Sequence, residues 1–96
     1  MITAIVNFDL PEAMSADEAR EMFEVSAPRY ETVPGLIRKY YLYDGASHTG
    51  GGVYLWTDRG AADRLYEGGW RESIRERFGS DPRIAWFDTP VVVDNG

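Results

Sequence analysis

Two polar residues in this chain sit where chemistry could be done. Asn7 interrupts a strand-like run of Ala4, Ile5, Val6 and Phe8, so its amide either caps a backbone group or faces a ligand. His48, the one histidine, lies in the turn-rich stretch Asp44-Gly45-Ala46-Ser47-His48-Thr49-Gly50, where it is either solvated or a base beside an opening pocket. Three Trp, six Tyr and four Phe in 96 residues supply enough aromatic surface to fill a core or line a pocket. With no Cys, thiolate nucleophiles, disulfides and Cys-based metal sites are excluded, and a single His excludes a multi-histidine zinc site within one chain. The carboxylates Asp17, Glu18, Glu21 and Glu24 fall on the outer side of a helical pattern and read as a solubilising face. The alternating charges from Arg71 to Arg77 read as surface ion pairs. Gly50-Gly51-Gly52 precede a strand, not a helix N-terminus, and so form no phosphate cradle.

The elements that must position these residues are written more strongly. Gly51 to Asp58 reads as a central strand entering a helix, with Val53 and Leu55 on one face and Tyr54 and Trp56 on the other. Thr3–Phe8 forms a first strand, stopped by Pro11. Ser15 and Glu18 make a capping box that starts a helix near Ala16, with Ala19, Met22, Phe23, Ser26 and Tyr30 as its apolar stripe. Pro28 predicts a kink or an early end. Leu36–Tyr43 is a second strand near a sheet edge, carrying Arg38, Tyr40 and Leu42 on one face and Lys39, Tyr41 and Tyr43 on the other. Asp58 caps a second helix that bends at Gly68-Gly69 and closes at Gly79. Ile84–Thr89 is the fourth strand, and Val91-Val92-Val93 is expected to pack against a partner subunit.

The order strand, helix, strand, strand, helix, strand predicts an α+β, ferredoxin-like βαββαβ domain spanning residues 1–96, with a four-stranded antiparallel sheet. Two helices cover one face only, yet three strands are apolar on both. A second copy is therefore expected to cover the other face, giving a homodimer through the sheet face and the C-terminal strand. The net charge of −6 argues against a nucleic-acid partner. Met1–Asp9 is too short an apolar run for a signal or membrane segment, so a cytoplasmic protein with no membrane partner is expected.

Val33-Pro34-Gly35-Leu36, the run Gly51–Asp58, the split second helix with Trp70, and the ending Phe87–Asp94 together resemble the dimeric α/β-barrel superfamily, in its YdhR-type monooxygenase branch. The resemblance implies a small-molecule cavity between sheet and helices, holding a small phenolic or polycyclic aromatic. It also implies chemistry with no cofactor and no metal, in which a deprotonated substrate reacts with oxygen directly. Asn7 matches the strand position where related enzymes carry a functional Asn and becomes the candidate oxyanion donor, with Tyr40 and His48 as further catalytic candidates. Arg38 beside Tyr40 could polarise a phenolic or carbonyl oxygen, and Tyr54, Trp56, Trp70 and Trp86 could supply stacking surface. The haem-degrading relatives place a His ligand on the second helix; Arg59–Phe78 has none, so haem is not expected. The alternatives are a non-catalytic dimeric protein that binds a small apolar molecule, and an association module. The monooxygenase reading requires an enclosed cavity between sheet and helices that holds Asn7 and at least one Tyr or His; the association module predicts that side chains fill that space.

Overall fold

The computed structural model describes residues 1–96. Strand β1 (Ile2–Asp9) leads into helix α1 (Ala16–Tyr30), strands β2 (Leu36–Asp44) and β3 (Thr49–Trp56) form a hairpin, and helices α2 (Arg59–Leu65) and α3 (Arg71–Phe78) precede strand β4 (Arg83–Asp88). The sheet is antiparallel throughout in the order β2-β3-β1-β4, which is the ferredoxin-like topology. No helix is long and apolar enough to cross a membrane.

Local chemistry explains the boundaries. Ser15 Oγ accepts from the Glu18 amide at 3.1 Å while the Glu18 carboxylate accepts from the Ser15 amide, so the capping box is complete. The helix passes through Pro28 and ends two residues beyond it, at Tyr30, so proline's lost donor costs one bond near the C-terminal end and does not divide the helix. Asp58 accepts from the Ala61 amide at 2.8 Å and starts α2. Between α2 and α3 the predicted bend is real: within Tyr66–Trp70 the backbone leaves helical geometry at Gly68 and Gly69, and Gly69 takes φ 87°.

Strand alternation divides the sheet into two faces. Ala4, Val6 and Phe8 of β1 and Tyr54 and Trp56 of β3 are buried under the helices with Ala19, Phe23, Ala61, Ala62, Tyr66, Trp70, Ile74 and Phe78. Aromatic contacts knit this side: Phe8 stacks on Phe78 at 4.6 Å, and Trp56 donates its indole N–H to the Tyr66 hydroxyl at 3.2 Å. At Gly51 there is no room for a side chain between β3 and β1; a Cβ there would lie 1.8 Å from the Val6 carbonyl oxygen.

No helix covers the opposite face. Register places Thr3, Ile5 and Asn7 beside Leu55, Val53 and Gly51, and Arg38, Tyr40 and Leu42 along the outer side of the same residues. Phe87 lies opposite Thr3 from β4 and is 54% exposed. The C-terminal segment drapes over this face, tied by Thr89 to Thr3 and by Asp94 to Arg38 at 3.1 Å. It is not a strand, and Val91 and Val93 stay exposed.

Candidate active site

The predicted site residues do not converge, because the sheet separates them. Asn7, Arg38 and Tyr40 stand on the uncovered face, where Arg38 donates to the Tyr40 hydroxyl at 3.2 Å. Asn7 borders a shallow groove of about 350 Å³ with Asp44, Ser47, Thr49 and Arg83. The expectation that Asn7 forms a wall of the sheet–helix space is therefore corrected: Phe8 is the neighbour that turns inward, and one residue of alternation puts Asn7 outside. His48 is in the hairpin turn at the sheet's end, at φ 50°, and its carbonyl accepts from the Leu10 amide. Tyr54, Trp56, Trp70 and Trp86 are all on the helix side. Trp56 is fully buried and hydrogen-bonded, so it packs; Trp86 lies under the Arg59 guanidinium at 3.7 Å. The Trp70 indole N–H is buried with no hydrogen-bond partner.

The enclosed space between sheet and helices is also smaller than expected, about 20 Å³, roughly enough for one water. Aromatic side chains have filled it. Larger room lies at its edge, in the seam where α1 stands off the outer strand β2. A cleft of about 280 Å³ runs along Tyr30, Leu36, Lys39 and Tyr41, and continues past Ala27 and Tyr41 into a more apolar groove of about 320 Å³ beside Phe23.

At the inner wall of this cleft is a residue that the sequence reading passed over. Lys39 is the sole lysine of the chain; the other nine basic residues are arginines. A bulge at Ile37 shifts the register of β2, so that Leu36 and Lys39 both turn to the helix side while Arg38 turns away. Lys39 pairs with Tyr54 on β3, and Gly52 beside it leaves room for the side chain: a Cβ there would come within 3.2 Å of the lysine Cε. The Nζ then sits 3.3 Å from the Tyr30 ring centroid, 3.9 Å from Tyr41 and 4.6 Å from Tyr54. It takes part in none of the five ion pairs.

The box holding it is rigid. Tyr41 stacks on Phe23 at 4.8 Å, and its hydroxyl lies 2.8 Å from Ser26 Oγ. The Ser26 hydrogen is committed to the Phe23 carbonyl at 3.0 Å, so Tyr41 is the donor in that pair. Tyr54 meets Tyr30 edge-on at 5.9 Å.

Electrostatics in this box favour a neutral amine. Burial, with the positive charge of Arg77 second, pushes Lys39 down from its ordinary 10.5 to about 6. The three rings pull the other way, since their faces attract an ammonium. Burial sets the direction, because no carboxylate repays the lost hydration. Burial likewise raises the Tyr54 and Tyr41 phenols, so both stay protonated at neutral pH. The cluster thus places one titratable base beside the protonated phenols of Tyr54 and Tyr41, in the wall of a cleft that Glu31 and Arg38 also line. No three or more His, Asp or Glu side chains converge to hold a metal.

A four-stranded antiparallel sheet with its helices on one face defines the ferredoxin-like class to which the dimeric α/β-barrel oxygenases belong. The chain belongs to the family described as "Putative mono-oxygenase ydhR", whose model matches residues 5–82. No curated protein matches it in sequence. Among solved structures it is similar to NE2512, a protein of unknown function from Nitrosomonas europaea, with TM-score 0.78 and 14% identity over 99% of this chain and 94% of that one. SnoaB, a cofactor-independent oxygenase from Streptomyces nogalater, superposes with TM-score 0.68 and 19% identity over 96% and 95% of the two chains. The monooxygenase ActVA-Orf6 of Streptomyces coelicolor, solved with nanaomycin D, gives TM-score 0.71 and 13% identity over 99% and 92%. At these identities the likeness is one of fold.

Proposed function

We propose that this protein is a cofactor-independent monooxygenase that takes a small phenolic or polycyclic aromatic into the cleft between α1 and β2, with Lys39 as proton acceptor. The observation that carries the proposal is the placement of the only lysine, unpaired, among three tyrosine rings at the inner wall of that cleft. A general base works best when its pKa lies near the operating pH, which suits an amine pushed down to about 6. The neutral amine takes the hydroxyl proton of the substrate. The resulting ammonium is held by the ring faces and by the new phenolate, and the electron-rich anion reacts with oxygen. Family membership supports the reaction class, and the similar monooxygenase solved with nanaomycin D supports a small-molecule ligand. A second copy covering the uncovered sheet face completes the proposed assembly. Asn7, Arg38 and Tyr40 then belong to the interface side and take no part in the proton transfer.

Oxygen uptake with a panel of hydroxylated polycyclic aromatics tests the proposal. Turnover by the native chain, lost in Lys39→Met and kept in Asn7→Ala, is the expected result; turnover that survives Lys39→Met overturns the assignment. The smallness of the enclosed void favours a second reading, a fold that serves association only. That reading stands if no aromatic binds the cleft, whereas binding without oxygen uptake marks a non-catalytic carrier.

A further inference from the structure

We infer that Lys39 is a nucleophilic amine that captures small aldehydes from the cleft as an imine, an activity separate from oxygen chemistry. Three observations meet at this atom. The Nζ lies in the aromatic box and forms no ion pair, so no carboxylate holds it as an ammonium. Lys39 also lines both the cleft of about 280 Å³ and the small void behind it, so a carbonyl compound held in the cleft lies against this residue. Finally, the groups around it leave the lone pair free: Tyr30 on α1, with Glu31 at its cap lining the same cleft, Tyr41 on β2, Tyr54 on β3 and Arg77 on α3. Of these only Glu31 is acidic, and it forms no ion pair with Lys39. Desolvated lysines without a carboxylate partner are the ones that act as amine nucleophiles toward carbonyls.

The chemistry balances without an oxidant or reductant. The nitrogen lone pair forms a C–N bond to the aldehyde carbon while the carbonyl π pair moves to oxygen. The proton lost from nitrogen passes to that oxygen, giving a carbinolamine. The hydroxyl then leaves with the second N–H proton as water, and the C=N bond forms. An aldehyde and an amine thus become an imine and one water.

The test uses the full chain, benzaldehyde and sodium cyanoborohydride at pH 7, read by intact mass and peptide mapping. The reductant fixes the imine as a benzyl amine. With one lysine, only the Met1 α-amine competes, and it serves as an internal reference. An amine at about 6 is about nine-tenths neutral at pH 7, against about three parts in ten thousand at the ordinary 10.5, so the difference in free amine is on the order of a thousandfold. Lower nucleophilicity and a narrower approach take back part of that. The expected result is one benzyl group on Lys39, added at least tenfold faster in the folded chain than in concentrated urea at the same pH, while Met1 labelling changes far less. Labelling confined to Met1, or Lys39 labelling that speeds up on unfolding, overturns the inference. Absence of oxygen uptake with aromatics leaves this result unmoved, so the two proposals fail separately.

Discussion

The protonation state of Lys39 can be read from stability alone, through Lys39→Met. Between about pH 6 and pH 10.5 the folded chain holds Lys39 neutral while the unfolded chain holds it protonated. Unfolding therefore takes up a proton throughout that window. Stability must rise with pH across it, by about 1.4 kcal/mol per pH unit for one proton. Below pH 6 both states are protonated and the slope vanishes. Above pH 10 it reverses, because Tyr54 and Tyr41 are raised in the folded state and the unfolded chain ionises first. From pH 7 to pH 9 the expected gain is about 2.7 kcal/mol, and with a urea m-value of roughly 1–3 kcal/mol per molar the midpoint moves up by about 0.9–2.7 M. Methionine keeps the volume and the aromatic contacts but has no proton to lose. Lys39→Met should flatten this rise and add about 2–5 kcal/mol at pH 7, the upper figure being the full work of neutralising a lysine there. The assay is urea unfolding of both chains at fixed protomer concentration over pH 6.5–9. The refuting result is a pH-independent gap between them, or a native chain that weakens as pH rises from 7 to 9. Either means that Lys39 is an ammonium in the folded protein, and both the base and the nucleophile assignments fall.

Two further predictions concern the scaffold. Phe87→Arg sets a charge on the uncovered sheet face, where Phe87 is 54% exposed. Light scattering should find a native dimer and a variant monomer, since a two-fold axis brings like charges into one buried interface; a native monomer, or a variant that stays dimeric, contradicts the assembly. Gly51→Ala places a methyl 1.8 Å from the Val6 carbonyl oxygen, so β1 and β3 must part. A loss of more than about 3 kcal/mol in unfolding is expected, and a near-neutral variant sinks the steric account of Gly51.

Much of the fold was legible because its signals are local. The capping box at Ser15 and Glu18, the Asp58 cap, the Gly68-Gly69 bend and the Gly79 stop each act within one helical turn, and each is present in the structure. Strand alternation likewise separated Tyr54 and Trp56 from Val53 and Leu55, but period two cannot say which set meets the helices. That choice is tertiary, and it sent Asn7 and Tyr40 to the uncovered face and Lys39 to the covered one. The void was equally out of reach, since whether aromatics line a space or fill it depends on their packing.

One sequence signal for the site did exist, in the choice between two cations. Nine positions carry Arg and one carries Lys. The paired arginines at 20, 38, 59, 75 and 83 hold exposed or half-exposed ion pairs, where a planar, permanently charged guanidinium gives more donors than an ammonium. Over aromatic faces arginine is again the commoner cation and stacks on them. If the tyrosine box needed only a positive charge, arginine would meet the need. What lysine adds at that position is the ability to lose a proton within the range of neutral pH when water is withdrawn, which arginine does not do. The exception to the chain's own habit thus falls on a basic side chain enclosed by three phenols and open to a cleft, where a removable proton is of use.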